Sequence, residues 1–230
     1  MSGFPDRENQ LFAILETFDE HGLDFVVIGG YAVSAYQHRF SVDADLVIAA
    51  DQFDRFAAIL RDEGYERIED VDLEAGRFIA FQRVDDLPVT VDVMVRAVQS
   101  RETGAVWRYE ELMREATRVT IEGSERSVTV RIPATEALLA MKLHSGRLTD
   151  ARDVIALADD VDFDRVAAAL DRGDDEQLRA VLERVRDTIG SEDFRDAYKG
   201  VFTAEDVPED RIAAVQAFLT QQIEDRSATE

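Results

Sequence analysis

Phe25-Val26-Val27-Ile28-Gly29-Gly30, then Tyr31-Ala32-Val33-Ser34-Ala35-Tyr36-Gln37-His38, then Arg39-Phe40-Ser41-Val42-Asp43-Ala44-Asp45-Leu46-Val47-Ile48 is the stretch on which the fold turns. A short apolar run rich in β-branched residues reads as a buried strand, and paired glycines punctuate its end. Tyr31 to His38 carries helical spacing, with Tyr31, Ser34 and Ala35 on one face. Asp43 to Ile48 returns to strand. Side chains alternate across a strand, so Asp43 and Asp45 project to the same face while Ala44 and Leu46 project to the other. Two carboxylates held side by side repel unless a cation lies between them or one is protonated. Magnesium supplies such a cation, since it takes hard oxygen ligands from one or two carboxylates together with substrate phosphates. Gly29 and Gly30 fit the same chemistry: without Cβ atoms they let backbone N–H groups approach a phosphate at the positive end of the following helix.

Working outward, Thr90-Val91-Asp92-Val93-Met94-Val95 is an apolar strand with one charged residue, Asp92, on its polar face. If that strand neighbours Asp43 to Ile48, three carboxylates converge, enough for a two-metal site. Upstream, Asp6 is placed to cap a helix through Leu11, Phe12, Ile14, Leu15 and Phe18 that ends near His21-Gly22. Downstream, Asp51 is expected to cap a helix that Gly64 closes. Tyr65 to Ile68, Arg77 to Val84 and Val89 to Val95 read as strands, separated by the acidic turns Asp70-Val71-Asp72 and Asp85-Asp86-Leu87-Pro88. Val106 to Ala116 reads as a helix carrying Trp107, and Glu122-Gly123-Ser124 as a hairpin turn between Arg118 to Ile121 and Val128 to Ile132.

At Pro133 the character changes: from Thr135 onward almost every segment has helical spacing, punctuated by Gly146, Gly173, Gly190 and Gly200. Strands first and helices afterwards imply an α+β fold, with a catalytic domain over 1–133 and a helical C-terminal domain over 134–230.

The charge narrows the setting. A formal net charge of -23 comes with only two lysines, Lys142 and Lys199. Such a surface repels itself in dilute buffer, whereas at molar salt the Debye length of roughly 3 Å screens most of that repulsion. A halophilic, cytoplasmic protein is the expectation. With no cysteine, disulfides, thiolate metal sites and a Cys nucleophile are excluded. The N-terminus lacks a signal-peptide pattern and no apolar run approaches the roughly 20 residues of a membrane span, so no membrane association is expected. The acidic bulk argues against broad nucleic-acid binding, though a local arginine cluster is compatible with gripping an RNA end.

Gly29-Gly30, the run His38-Arg39-Phe40-Ser41-Val42-Asp43-Ala44-Asp45-Leu46 and the later Val91-Asp92-Val93 resemble the nucleotidyltransferase superfamily of the DNA polymerase beta type. The fold this implies is a mixed sheet with flanking helices. The His-Arg-x-Ser-x-Asp-x-Asp run looks most like the AbiEii/AbiGii toxin branch, the nucleotidyltransferase partners of abortive-infection toxin-antitoxin systems. Lys142, Arg147, Asp150 and Asp153 resemble that family's Lys and Arg-x-x-Asp positions. Gly30 stands where related subfamilies carry Ser, and Ala44 where Ile is commoner.

The resemblance implies transfer of NMP from an NTP to an acceptor hydroxyl with release of pyrophosphate. Asp43, Asp45 and Asp92 would be both metal ligands for two Mg²⁺ ions and catalytic groups; Gly29, Gly30, Arg39, Ser41 and Lys142 would serve the nucleotide. Lys142 is singled out because lysine is so scarce here and a compact ammonium suits phosphate. Ser41 is placed to orient the acid strand, and His38 and His144 read as packing or capping residues. The branch further implies a tRNA acceptor and a cognate antitoxin partner. An antibiotic adenylyltransferase, a protein AMPylator and a non-catalytic nucleotide-binding regulator stay open as alternatives.

Overall fold

The computed structural model describes residues 3–84 and 88–228. The chain divides into two compact units, one of residues 1–99 and 107–134, the other of residues 100–106 and 135–230. In the first unit the elements are α1 (Phe4–Glu20), β1 (Phe25–Ile28), α2 (Gly29–Ser34), β2 (Asp43–Ile48), α3 (Phe53–Asp62), β3 (Tyr65–Asp72), β4 (Arg77–Arg83), β5 (Thr90–Val95), β6 (Ala97–Gln99), all but the first residue of β7 (Val106–Arg108), α4 (Tyr109–Glu115), β8 (Thr117–Glu122) and β9 (Ser127–Ile132).

Among the described residues, five strands form a mixed sheet in the order β1-β2-β5-β4-β3, with β6-β7 and β8-β9 as two-stranded ladders. Only the β2–β5 pairing in the five-stranded sheet is parallel. β2 and β5 share one burial pattern: Ala44, Leu46, Val91 and Val93 are buried, while Asp43, Asp45, Thr90 and Asp92 alternate with them on a half-buried face. The apolar side of α1 supplies Leu11, Phe12, Leu15 and Phe18 to the core. Phe18, Phe25 and Phe56 form an aromatic cluster there, with Phe18 and Phe56 centroids 4.7 Å apart.

Several boundaries differ from the sequence reading. Asp6 is not the cap residue: α1 begins at Phe4, and the Asp6 carboxylate accepts from the Gly3 N–H at 3.0 Å from inside the first turn. The helix after β1 starts on the glycines themselves and ends at Ser34. Asp51 lies in a 3₁₀ turn over Ala50–Gln52, and α3 starts at Phe53. Asp70-Val71-Asp72 is strand, not turn, because Arg67 and Arg77 take up the charge of Asp70. The Arg77 hydrogen bond holds the Asp70 carboxyl below the usual carboxylate range. The chain reverses instead between Leu73 and Gly76, which exchange backbone hydrogen bonds. Val106 to Arg108 pairs with β6 as β7, so only Tyr109–Glu115 of the expected helix forms, and Trp107 is buried in the first unit. The expected turn at Asp85-Asp86-Leu87-Pro88 falls mostly outside the described residues.

The second unit is helical: α5 (Thr135–Ser145), α6 (Leu148–Leu157), α7 (Phe163–Leu170), α8 (Asp175–Gly190), α9 (Phe194–Phe202) and α10 (Glu209–Ser227). The 100–106 segment belongs to it through His144, whose carbonyl accepts from Ser100 Oγ at 2.9 Å and whose Nδ1 lies 2.7 Å from Thr103 Oγ1. Among the described residues no helix is long and apolar enough to cross a membrane.

Candidate active site

The site is built on the half-buried face of β2 and β5. Their parallel register sets Asp43 beside Thr90 and Asp45 directly beside Asp92. All three aspartates therefore leave the sheet on one side, as period-two alternation requires. The antiparallel partner β1 brings Ile28 opposite Asp45, and the chain then turns at Gly29. Gly29 has φ +64, and a Cβ there would collide with Asp45 Oδ2 and come within 2.7 Å of Asp45 Cγ. The carboxylate of Asp45 thus packs over bare backbone, which no other residue type provides at this φ without strain.

Gly30 is bare for a second reason. A Cβ on it would stand 2.7 Å from Ser41 Oγ and 2.8 Å from Arg39 Nη2. Ser41 Oγ donates to Asp43 Oδ1 at 2.7 Å, which orients the first carboxylate of the pair. The loop that delivers Arg39 and Ser41 is tied down from α2: Ser34 Oγ donates to the Arg39 carbonyl at 2.9 Å and Tyr31 Oη to the Ser41 carbonyl at 3.0 Å. Burial, with Glu8 and Asp43 nearby, pushes the Tyr31 phenol far up, so it stays a donor. Gly29, Gly30, Arg39, Ser41, Asp43, Asp45 and Asp92 consequently meet in one unit.

A divalent cation fits this donor set. The three carboxylates are hard oxygen donors on one face of adjacent strands. Among the described residues no three His, Cys, Asp or Glu side chains are already drawn together to hold a metal. The backbone register that puts the three aspartates on one face is set by the sheet.

Lys142 sits in the second unit, on α5, and is 5% exposed. Its Nζ lies 2.8 Å from Asp153 Oδ2 and 3.2 Å from Asp150 Oδ1, both on α6. Arg147 Nε adds a contact to Asp150 Oδ2 at 2.8 Å. The ammonium is thus compensated by two carboxylates within its own unit. Burial works against ionising Asp150, but Lys142 and Arg147 outweigh it and hold the carboxyl below the usual range.

The family model described as uncharacterised nucleotidyltransferase matches residues 8–188. The chain belongs to this nucleotidyltransferase family. That span takes in most of α1, every strand of the mixed sheet and the helices through most of α8. No curated protein matches the nucleotidyltransferase. Among solved structures it is similar to the lincosamide antibiotic adenylyltransferase LnuA, at 20% identity over 65% of this chain and 95% of that one, TM-score 0.46. It is also similar to ANT(2")-Ia in complex with adenylyl-2"-tobramycin, at 18% identity over 73% and 93%, TM-score 0.48. A third is the nucleotidyltransferase toxin MenT4 of Mycobacterium tuberculosis, at 17% identity over 98% and 85%, TM-score 0.49.

One participant escaped the sequence reading. Glu8, on α1, is 1% exposed, and its carboxylate takes His38 Nε2 at 3.0 Å and the Ser124 N–H at 2.7 Å. Its place beside Leu11 and Phe12 on the inner face of α1 was the available signal, and its charge hid it.

Proposed function

We propose that this nucleotidyltransferase moves NMP from an NTP to the hydroxyl of an RNA acceptor, in a magnesium-dependent reaction that Asp43, Asp45 and Asp92 support. The observation that carries the reading is the pairing of Asp45 with Asp92 across β2 and β5, directly over Gly29. Bound magnesium would neutralise the triphosphate and make the acceptor hydroxyl easier to ionise. Asp43 and Asp45 would hold the ion that accompanies the β- and γ-phosphates, and with Asp92 they would hold a second. Ser41 keeps Asp43 turned toward the site, and Arg39 offers its guanidinium to phosphate oxygens beside Gly30. The acceptor oxygen bonds to the α-phosphorus as the bond to pyrophosphate breaks, and Asp92 takes the hydroxyl proton. Catalysis is mainly positioning and charge neutralisation.

The resemblance of His38 to Asp45 to the AbiEii/AbiGii branch supports a toxin role, with a tRNA end as acceptor and an antitoxin as partner. The net charge of -23 supports a high-salt cytoplasm as the setting. Incubation in molar KCl with Mg²⁺, each labelled NTP in turn and total RNA should label RNA and release pyrophosphate, and Asp45→Asn should abolish both. Label on an aminoglycoside or a protein instead would reassign the acceptor. Expression should arrest growth, and Asp43→Ala should relieve the arrest.

A further inference from the structure

We infer that His38 and Glu8 form a positioning pair that holds Arg39 over Gly30 for nucleotide binding, an inference that rests on the nucleotide site proposed above. Glu8 is a carboxylate almost without solvent contact, on a helix whose neighbouring inward residues are Leu11 and Phe12. A buried acid is costly unless every oxygen is engaged. Both are: Oε1 takes His38 Nε2 at 3.0 Å, and Oε2 takes the Ser124 N–H at 2.7 Å. The second contact needs the glycine beside it, since a Cβ on Gly123 would stand 2.7 Å from Glu8 Oε2 and 2.7 Å from the Phe12 ring. Glu8 thereby ties three segments distant in sequence: α1, the loop after α2 and the tip of the β8–β9 hairpin.

The segment so tied is the one that carries the site. His38 immediately precedes Arg39, whose Nη2 overhangs Gly30, and stands three residues before Ser41, which orients Asp43. Ser34 and Tyr31 hold the backbone of Arg39 and Ser41 through their carbonyls. The His38–Glu8 contact ties the residue just before Arg39 to α1, and the edge-on packing of His38 against Phe40 at 5.1 Å, with Phe40 stacked on Phe4 at 5.3 Å, flanks it on the other side. His38 is half-exposed, so its ring adds little to the core; its contact works on the loop. The role assigned to His38 and Glu8 is positioning, and it passes through Arg39.

Equilibrium binding of Mg·ATP, Mg·GTP, Mg·CTP and Mg·UTP to the full chain, with melting temperature measured alongside, tests the pair. His38→Ala should weaken the tightest of these complexes by about tenfold, the size of one charge-assisted contact. Arg39→Ala should weaken it at least as much, and the double variant no more than Arg39→Ala alone, the signature of two residues acting through one contact. Glu8→Gln, which keeps the size and an acceptor for Ser124, should reproduce the His38→Ala loss with the fold intact. Wild-type binding that His38→Ala leaves unchanged, or a His38→Ala loss that persists undiminished in the Arg39→Ala background, overturns the positioning role alone. Failure of the wild-type protein to bind any of the four nucleotides overturns the nucleotide site and the pair with it.

Discussion

Asp45 and Asp92 are register partners on adjacent parallel strands, and the Asp45 carboxylate also rests against the backbone of Gly29. Two acids so placed repel one another unless a cation joins them or one is protonated.

Asp45→Asn and Asp92→Asn should therefore each lower nucleotidyl transfer by at least about a hundredfold, the scale of losing a transition-state electrostatic contact. In EDTA the same variants should melt no lower than wild type. Any rise in melting temperature that Mg²⁺ gives the wild-type protein should shrink in both. A variant that melts lower in EDTA and still responds to Mg²⁺ would show the acids to be structural.

The two glycines should separate under substitution. Gly29→Ala forces a side chain into the left-handed region and into the Asp45 carboxylate. It should cost roughly 1–3 kcal/mol of stability together with activity. Gly30→Ala meets Ser41 Oγ and Arg39 Nη2, side-chain ends that can turn away, and Ser41 Cβ at 3.0 Å, which must give by a few tenths of an ångström. It should cost less than about 1 kcal/mol while weakening NTP binding. Denaturant melts and binding isotherms on the two variants check both statements.

Lys142→Met should destabilise the helical unit by about 3–5 kcal/mol, because Asp150 and Asp153 would be left buried without the ammonium. The depressed Asp150 pKa gives this cluster a pH signature. Its contribution is complete above the unfolded carboxylate pKa of about 3.9 and is lost as pH falls through the lower folded value. Acid melts should show that loss in wild type and a smaller one in Lys142→Met, where Arg147 still faces Asp150. An unchanged melting temperature with weakened NTP binding would instead favour a direct phosphate role for Lys142.

His144 should make the protein acid-sensitive over a higher window. Burial, with Arg226 and Arg172 adding to it, pushes its imidazole down to about 4. The unfolded chain then binds more protons than the folded one below about pH 6.5. Stability should fall by roughly 3 kcal/mol between that pH and 4, taking about 1.4 kcal/mol per pKa unit. Denaturant titrations at stepped pH should show the slope in wild type and a flatter profile in His144→Gln.

The sequence alone determined the local pieces of the site: a strand closing on Gly29-Gly30, Asp43 and Asp45 on one face of the next strand, and Asp92 alone on the polar side of a third. Those features depend on period-two alternation and on missing Cβ atoms, both of which are properties of neighbouring residues. It also located the change to helices at Pro133. Tertiary structure decided what depends on distant partners. The parallel β2–β5 register that sets Asp45 beside Asp92 joins strands separated by β3 and β4, and no local pattern encodes that pairing. Arg77 and Arg67 turned an acidic turn into strand, and β6 drew Val106 to Arg108 out of a helix. Glu8 and Lys142 are the clearest cases. Sequence reading passes over Glu8 and assigns Lys142 to the nucleotide, whereas the fold supplies the Ser124 N–H and the Asp150 and Asp153 carboxylates that make their burial possible.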